Sequence, residues 1–533
     1  MRFNGKIFFW LSFILIVIVR LRLADLPMER DEGEYAYAGW QILRGKLPYT
    51  DFYNMKFPGV YYMYAAVFSL AGQSMIAVRI AVLIMNLLSA FFLYKIVEKR
   101  LFSAFDTPNN EAKWLAGGFY LLLCISFGAQ GCVSNSEHFV VFFATLGLWL
   151  LSARFLFLSG LALGVSVLMK QQGLVIGVFA VFTILYELYK DTDKAMIIRR
   201  LFIFGLGLAL PIVGLYAFLV KNNIFDEFYF YTFEYARAYS AIVKPTLKGI
   251  VSFLDVFIDS PLIWLMFFIG VAKIGKDNFT KKLFYTEGGG FLLLWVLSFV
   301  AVSAGWYYRP HYWQLMFPAV ALVVAYTLSQ KESWQFFNYT LAKNRILALI
   351  FVSTLIAQPG YFFVDAGELV SRKMYPYDYL TDIQRFGEFL EQNIPSDERL
   401  GQFSCEPQVW FYANKAGASG FMYNYPLIEN QPYAAEMTNT YIRETENTNP
   451  KWFLYCKFSK IDDNKKTIKQ LDDWFENYAK NYEVKGVLYS NGKRRADWQW
   501  DVTAIDTLKE QLMVVYKRKN TDIVPEKNVT LKY

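Results

Sequence analysis

The residues of this chain that are best suited to chemistry form a short acidic stretch just after the first apolar segment. Asp31, Glu32 and Glu34 occupy three of four consecutive positions, and the bases Arg30 and Lys56 stand before and after them. A carboxylate here can accept a proton from a hydroxyl or amine as that group attacks a carbon centre. The neighbouring carboxylates raise its pKa toward neutrality, whereas the bases oppose that shift. The pattern predicts a general base within this stretch.

A structural role is the alternative for the same carboxylates. Residues 35, 38, 42 and 43 share one face of a helix, so Asp31 and Glu32 would open a short helix at the membrane interface. Carboxylates at a helix N-terminus accept hydrogen bonds from its free N–H groups and complement the helix dipole. The sequence leaves both interpretations open.

Three bases, Lys56, Lys170 and Arg309, lie on separate segments that the topology given below places on the outer side of a membrane. This is against the usual bias of basic residues toward the inner side. Cations at one depth can stabilise the charge that develops on the oxygens of a departing phosphate, so we predict that these three bind phosphate. The alternative for each is an amphipathic side chain that reaches the lipid headgroups.

A second candidate acid, Glu137, begins an apolar segment on the same side. It is followed by His138, and His311 lies there too; the chain has no other histidine. Glu137 could orient an acceptor or hold a divalent cation, and its alternative role is a first-turn partner of the helix dipole. For His138 we prefer interfacial packing. The residues expected to complete a substrate site are Glu34, Tyr35, Tyr61, His311 and Tyr312.

The elements that must position these groups are membrane helices. Hydrophobic residues make up 55% of the 533 residues, aromatic residues 19% and charged residues 19%, which is too apolar for an ordinary soluble protein. The apolar residues come in blocks up to about residue 362 and then give way to mixed sequence. The net charge of +8 is scattered through short loops, so we attribute it to topology rather than to binding of nucleic acid.

The blocks predict about eleven transmembrane helices in residues 1–362, with the N-terminus inside. No small-residue cleavage pattern follows the first block, so we take it as a span rather than a signal peptide. Residues 24–74 form the first outer loop, in which 57–71 lies at the interface; the cluster Lys95, Lys99 and Arg100 then falls inside. We expect a multi-pass protein of the cytoplasmic membrane with its C-terminal domain outside.

Residues 363–533 predict a small soluble α/β domain. Helices at 377–393 and 465–482 alternate with strands at 400–404, 451–456, 483–488 and 512–516. The tail after Lys517 is charged and expected to fray. Cys405 and Cys456 could form a disulfide on an oxidising side, but two free buried thiols are the preferred interpretation.

The motifs also carry a family resemblance. They are the run 30–39, the continuations 45–52 and 56–62, Asn135-x-Glu137, Lys170-Gln171, and 308–312 with Pro318. Together they resemble the protein-mannosyltransferase-like group of GT-C glycosyltransferases, the dolichyl-phosphate-mannose–protein mannosyltransferase family, which includes the aminoarabinose transferases. The resemblance covers roughly residues 1–360 and implies an inverting transferase that takes a sugar from a polyprenyl-phosphate donor on the outer face.

By this resemblance Asp31 matches the catalytic acid of the family, with Glu32 beside it. Lys56 and Lys170 match phosphate-binding positions, which Arg309 joins. The family often has an acid or histidine followed by Lys-Pro-Pro, whereas this chain has Asn54-Met55-Lys56-Phe57-Pro58. A divalent metal at position 55 is therefore in doubt, and no cofactor is expected as a requirement. The resemblance names neither the sugar nor the acceptor, which can be a lipid, a protein or a glycan.

Two other classes of protein compete with this interpretation. A transporter or flippase of a lipid-linked glycan should have ionisable residues near the middle of its helices, but here the charges cluster at one face. A scaffold whose soluble domain does the work should have a site-like cluster in residues 363–533, and the sequence shows none. Chemistry at the membrane surface is favoured over both.

Overall fold

The structure is a computed structural model, and the chain forms two compact units, Met1–Thr381 and Asp382–Tyr533. The residues that it describes are 3–99, 101, 110–190, 194–243, 246–281, 287–336, 339–369, 374–375, 379–456, 464–492, 495–506 and 508–519. The predicted boundary after residue 362 stays a prediction.

The first unit is built almost entirely from helices. In chain order they are α1 (Gly5–Arg22), α2 (Arg30–Leu43), α3 (Gly59–Ala71), α4 (Met75–Lys99), α5 (Ala112–Leu123), α6 (Ser136–Ser152), α7 (Leu156–Met169), α8 (Leu174–Lys190), α9 (Lys194–Lys221), α10 (Phe225–Tyr229), α11 (Ala236–Ile242), α12 (Lys248–Asp259), α13 (Pro261–Lys281), α14 (Glu287–Ser303), α15 (Phe317–Ser329), α16 (Lys343–Ala357), α17 (Gly360–Phe363) and α18 (Ala366–Glu368). Shorter helical turns lie at Gln171–Gly173, Phe230–Tyr235, Ala304–Trp306 and Pro310–Met316, and a hairpin pairs β1 (Ser333–Phe336) with β2 (Tyr339–Ala342).

The degree of burial separates the central helices from the peripheral ones. Nearly every residue of α15 is buried, as expected for a helix that is apolar on all sides and surrounded by others. By contrast, α9 leaves large apolar side chains such as Phe202, Leu206 and Leu210 exposed. Exposed apolar residues on that scale suit a lipid environment rather than water. The core of the first unit therefore lies around α15, with α9 at its edge.

The predicted apolar segments are helices in the structure, but the number of spans stays a prediction. Among the described residues, four helices are long and apolar enough to cross a membrane: Met75–Lys99, Lys194–Lys221, Gly288–Trp306 and Pro310–Ser329. A fifth is possible if α12 and the following helix, which are bent by 113° at their junction, form one broken span. Shorter apolar helices include Gly59–Ala71, the segment predicted to lie at the interface.

The second unit is an α/β domain, as predicted. Its helices are α19 (Leu380–Asn393), α20 (Gln408–Tyr412), α21 (Tyr425–Ile428), α22 (Ala434–Thr448) and α23 (Lys465–Tyr478), with a short turn at Ala479–Asn481. Its strands are β3 (Leu400–Phe403), β4 (Trp452–Cys456), β5 (Tyr482–Ser490), β6 (Ala496–Trp500) and β7 (Gln511–Arg518), in the order β3-β4-β7-β5-β6. Among the described strands of this sheet, β3 and β4 pair in parallel and the other pairs are antiparallel.

A disulfide joins the ends of the two parallel strands. Cys405 follows β3, Cys456 ends β4, and the two are bonded. The interpretation of two free thiols was therefore wrong: parallel pairing brings together two cysteines that are 51 residues apart. Of the tail predicted to fray after Lys517, Arg518 ends β7, and residues 520–533 lie outside the described part of the chain.

Candidate active site

The acidic stretch lies at the start of α2, where its local sequence closes a capping box. The Glu29 carboxylate accepts a hydrogen bond from the Glu32 N–H at 3.1 Å, and the Glu32 side chain accepts one from the Glu29 N–H at 3.4 Å. Such reciprocal bonds satisfy two free N–H groups at a helix start. Glu29 and Glu32, rather than Asp31, therefore cap the helix, which leaves Asp31 available for another role.

Lys56 joins two carboxylates of this helix. Its ammonium lies 3.1 Å from Asp31 Oδ1 and donates to Glu34 Oε2 at 2.8 Å. It also donates to the Tyr35 hydroxyl at 3.0 Å. Asp31 keeps 26% of its side-chain surface exposed, whereas Glu34 has none exposed. Of the two carboxylates, Asp31 is thus the one that a substrate can reach.

The Asp31 carboxylate is held ionised. Burial alone would raise its pKa, but Lys56 and then His311 act in the opposite direction and hold the pKa of Asp31 well below its usual range. The His311 Nε2 lies 3.6 Å from Asp31 Oδ2. Of the two opposing effects named from the sequence, that of the nearby bases therefore outweighs that of the neighbouring carboxylates.

Glu34 behaves in the opposite way. Its Oε1 accepts a hydrogen bond from the Tyr61 hydroxyl at 2.5 Å. Burial raises the pKa of Glu34, and Lys56 offsets only part of that rise. The pKa values of Asp31 and Glu34, one helical turn apart, are thus shifted in opposite directions. Such opposite shifts are typical of sites in which neighbouring acids have different roles.

A second carboxylate–lysine pair lies beside the first. Glu137, in the first turn of α6, contacts the ammonium of Lys170, which follows the end of α7. Both side chains are buried, and the Lys170 ammonium lies 4.1 Å from the centre of the Tyr312 ring. Burial alone would lower the pKa of Lys170, but Glu137 raises it above its usual value. Lys170 therefore stays charged.

The backbones that carry the two lysines touch each other. A Cβ added at Gly59, which begins α3, would lie 2.3 Å from the carbonyl oxygen of Leu168 at the end of α7. Gln171 donates through its amide nitrogen to the Met55 carbonyl at 3.3 Å. Only glycine permits this approach, so the residue type at position 59 sets the spacing between the two lysine turns.

His311 is the residue that lies between the two pairs. Besides its contact with Asp31, its Nδ1 lies 3.0 Å from Gln130 Oε1. Its ring packs against that of Tyr312 with centres 5.0 Å apart. His138 has a different setting: its two ring nitrogens contact Arg20 and Asn86. The preferred interpretation of His138 as a packing residue is consistent with this position.

Arg309 lies at the exposed side of the site. Its guanidinium is 5.3 Å from the centre of the Tyr307 ring, and its charge interacts with that of Asp31. Trp306 and Tyr308 have φ of 60° and 46°, a region that residues other than glycine rarely adopt and that clusters at functional sites. The strained turn thus carries an arginine whose charge is within range of Asp31.

An aromatic cavity of about 270 Å³ adjoins Arg309 along the chain. Eight of its twelve lining residues are aromatic. The cavity lies between α12, α13, α14 and the turn that follows Arg309, and it is lined by Thr246, Gly249, Ile250, Phe253, Trp264, Phe267, Phe268, Trp295, Phe299, Tyr308, Trp313 and Met316. Because its walls are mostly aromatic, the cavity suits an apolar ligand such as a hydrocarbon chain.

Glu32 has no free oxygen for chemistry. Arg79 binds both of its carboxylate oxygens, with Nη2–Oε2 at 2.6 Å and Nε–Oε1 at 3.1 Å, and both side chains are buried. This geometry favours a structural role, and the catalytic role predicted for Glu32 stays untested. Arg79 was not among the residues predicted from the sequence; the available signal was a basic residue near the start of an apolar helix.

The residues present do not fit a bound divalent cation. Position 55 carries a methionine thioether, a poor ligand for hard cations such as Mg²⁺. Among the described residues, no group of three or more histidines, cysteines and carboxylates is arranged to hold a metal ion. Asp31, Glu34 and Glu137 have lysine partners instead.

The fold is shared with solved membrane-protein structures. ArnT from Cupriavidus metallidurans bound to undecaprenyl phosphate matches with a TM-score of 0.59 and 12% identity, over 95% of this chain and 97% of that chain. Its apo state matches with a TM-score of 0.60 and 11% identity over the same shares. An oligosaccharyltransferase from Archaeoglobus fulgidus in the apo form matches with a TM-score of 0.50 and 10% identity, over 94% of this chain and 76% of that chain.

These similarities establish the fold. No protein-family model and no curated protein matches the sequence. The predicted GT-C-like fold class, a helical membrane domain followed by an α/β domain, is confirmed.

Proposed function

We propose that this chain is an inverting glycosyltransferase that uses a polyprenyl-phosphate-linked sugar donor at the outer face of the cytoplasmic membrane. The observation that carries the proposal is the ionised, partly exposed Asp31 beside Lys56, next to the buried Glu137–Lys170 pair. A carboxylate that faces two fixed cations has what a displacement at a sugar carbon needs, namely a proton acceptor and charge stabilisation for a phosphate leaving group.

In the proposed reaction, an acceptor hydroxyl or amine attacks the anomeric carbon while Asp31 takes its proton. The bond from that carbon to the phosphate oxygen breaks, and its electron pair leaves with the polyprenyl phosphate. Lys56, Lys170 and Arg309 stabilise the charge on the phosphate oxygens. A single displacement of this kind inverts the anomeric configuration.

The low pKa of Asp31 fits this role once the donor is considered. A carboxylate with a pKa far below neutrality is a weak base. When the donor phosphate binds to Lys56, it shares the cation that lowers the Asp31 pKa, so the carboxylate becomes more basic at the moment when the acceptor must be deprotonated. The alternative role, transport of a lipid-linked glycan, calls for ionisable groups deep inside spans, whereas Asp31 and Glu137 stand in first helical turns.

Two further observations support the donor class and the compartment. The aromatic cavity next to Arg309 has room for part of a polyprenyl chain, and one structure with the same fold is ArnT bound to undecaprenyl phosphate. The disulfide between Cys405 and Cys456 suits an oxidising compartment and thus supports a C-terminal unit on the outer side.

The test is transfer in proteoliposomes. Purified protein is mixed with undecaprenyl phosphate that carries a radiolabelled hexose or pentose, together with membranes from cells lacking the protein as the acceptor source. We expect label to move from the prenyl lipid into acceptor material. Asp31→Asn should abolish transfer with normal membrane insertion, while Asp51→Asn, a control in the same loop whose partner is the exposed Lys46, should not change it. Unchanged turnover of Asp31→Asn would remove Asp31 from the mechanism.

A further inference from the structure

The buried ion pair between Arg79 and Glu32 joins α4 to α2, and both side chains also bond to segments outside these two helices. Besides the two bonds to Glu32, the Arg79 Nη1 donates to the carbonyl of Ala24 at 3.2 Å and to that of Leu26. Only 2% of the Arg79 side chain is exposed, and none of that of Glu32. One guanidinium thus joins α4, the start of α2 and the chain segment that leads from α1 into α2.

The Glu32 carboxylate extends this connection to a fourth segment. Its Oε1 accepts a hydrogen bond from the Ser134 N–H at 2.8 Å. The Ser134 carbonyl in turn accepts one from the Tyr64 hydroxyl at 2.8 Å. Ser134 stands two residues before α6, whose first turn carries Glu137. The segment before Glu137 is therefore bonded directly to the residue that follows Asp31.

The positions of both carboxylate–lysine pairs consequently depend on the Arg79–Glu32 ion pair, which we call the anchor. Asp31 is adjacent to Glu32 in the chain, so a shift of Glu32 moves Asp31 relative to Lys56 and His311. A shift of Ser134 moves the start of α6 and with it Glu137. The Tyr35 hydroxyl, 3.4 Å from Ser136 Oγ, is a weaker second link between the two segments.

The anchor requires arginine rather than a positive charge alone. A guanidinium presents a planar set of N–H donors that binds a carboxylate through two parallel bonds and still reaches other acceptors. Here it binds Glu32 in that way and also reaches two carbonyls of the preceding segment. A lysine ammonium is a point charge on a flexible stem and cannot fix all of these directions at once.

We propose that Arg79 is a positioning residue for the transfer reaction, and that its ion pair with Glu32 sets the separation between the Asp31–Lys56 and Glu137–Lys170 pairs. This inference rests on the proposed function. Arg79 touches no reacting group; it acts through the two segments that carry the carboxylates. Small errors in such separations are costly, because a misplacement of about 1 Å can reduce a rate about 100-fold.

The first measurement separates kcat from KM. Arg79→Lys should lower kcat by up to about 100-fold, the loss that a misplacement of about 1 Å can cause, while the KM for the prenyl-phosphate sugar stays nearly unchanged. The acidic limb of the kcat/KM profile should move to higher pH, since Asp31 no longer lies close to Lys56 and His311. Arg44→Met, which removes an exposed arginine at the end of α2, is the matched control and should behave as the wild type.

A second variant distinguishes loss of positioning from loss of folding. Removing one partner of a buried ion pair leaves an unpaired charge, whereas removing both charges is often tolerated. The double variant Arg79→Met, Glu32→Gln has no unpaired charge and keeps an acceptor oxygen for Ser134. We expect it to unfold near the wild-type temperature with kcat lowered as in Arg79→Lys. Normal kcat in this variant, or a lowered kcat with an unmoved pH profile, would overturn the inference.

A third measurement needs no substrate. Hydrogen exchange of residues 30–43 and 134–140 in the double variant should become faster in both segments, while α15 stays protected. Unchanged exchange in either segment would overturn the inference. If the wild type itself transfers no sugar, the proposed function fails, and the exchange result still decides whether Arg79 anchors both segments.

Discussion

Replacing Lys56 is the sharpest test of the site, because this ammonium contacts both Asp31 and Glu34. Lys56→Met removes the charge and keeps an unbranched side chain. In the folded protein it deletes the bonds of the ammonium to the Asp31 and Glu34 carboxylates, each of which contributes about 1.5–3 kcal/mol, together with its weaker bond to the Tyr35 hydroxyl. The two losses do not add, because Glu34 has a raised pKa and can take up a proton. We expect a loss of stability of about 2–3 kcal/mol.

The effect on transfer should be larger than the effect on folding. Lys56 is one of the cations proposed to hold the departing phosphate, and loss of one such donor typically lowers kcat by about 100- to 1,000-fold. The assay is single-turnover transfer in proteoliposomes at saturating prenyl-phosphate sugar. Lys56→Arg keeps the charge and should retain more activity than Lys56→Met. Lys46→Met, whose partner is the exposed Asp51, is the control and should be active.

The pH dependence of stability gives an independent check with a definite sign. In the wild type the folded pKa of Asp31 lies below its unfolded value. Its contribution to stability is therefore present above the unfolded pKa and is lost as the pH falls through the folded one. Lys56→Met removes the main cause of the depression, so its acid denaturation should begin at a higher pH. A variant with wild-type kcat and an unshifted acid transition would refute our interpretation of this site.

Two further predictions concern residues outside the central pairs. Arg309→Ala should raise the KM for the prenyl-phosphate sugar more than it lowers kcat, because its guanidinium lies at the exposed side of the site; steady-state kinetics would contradict this if kcat alone changed. Replacing Cys405 and Cys456 by alanine should destabilise the second unit by about 2–4 kcal/mol, measured by limited proteolysis, with transfer retained if that unit only docks the acceptor. Loss of transfer in an intact fold would show that the second unit has a direct role.

The sequence predicted those features that depend on the composition of a single segment. Apolar blocks of suitable length predicted the helices, because burial of an apolar segment depends mainly on its own composition. The grouping of Asp31, Lys56, Glu137 and Lys170 was also predicted, since topology alone places their segments at one face.

The sequence did not predict which carboxylate forms an ion pair with which base. Three carboxylates stand within four positions, and nothing local shows that Glu32 pairs with Arg79 while its neighbours share Lys56. Such pairing depends on the direction in which each side chain leaves its helix. The same limitation left the direction of the Asp31 pKa shift open, because that shift is decided by the cations a few ångströms away rather than by neighbours in the chain.

The close approach of Gly59 to the Leu168 carbonyl has a thermodynamic consequence. Because the two turns that bear Lys56 and Lys170 touch through their backbones, the protein has ordered this pair of ammonium groups before any ligand arrives. Phosphate recognition then requires little further loss of conformational entropy. We expect undecaprenyl phosphate without a sugar to bind with little backbone rearrangement near these lysines, as a rigid receptor would.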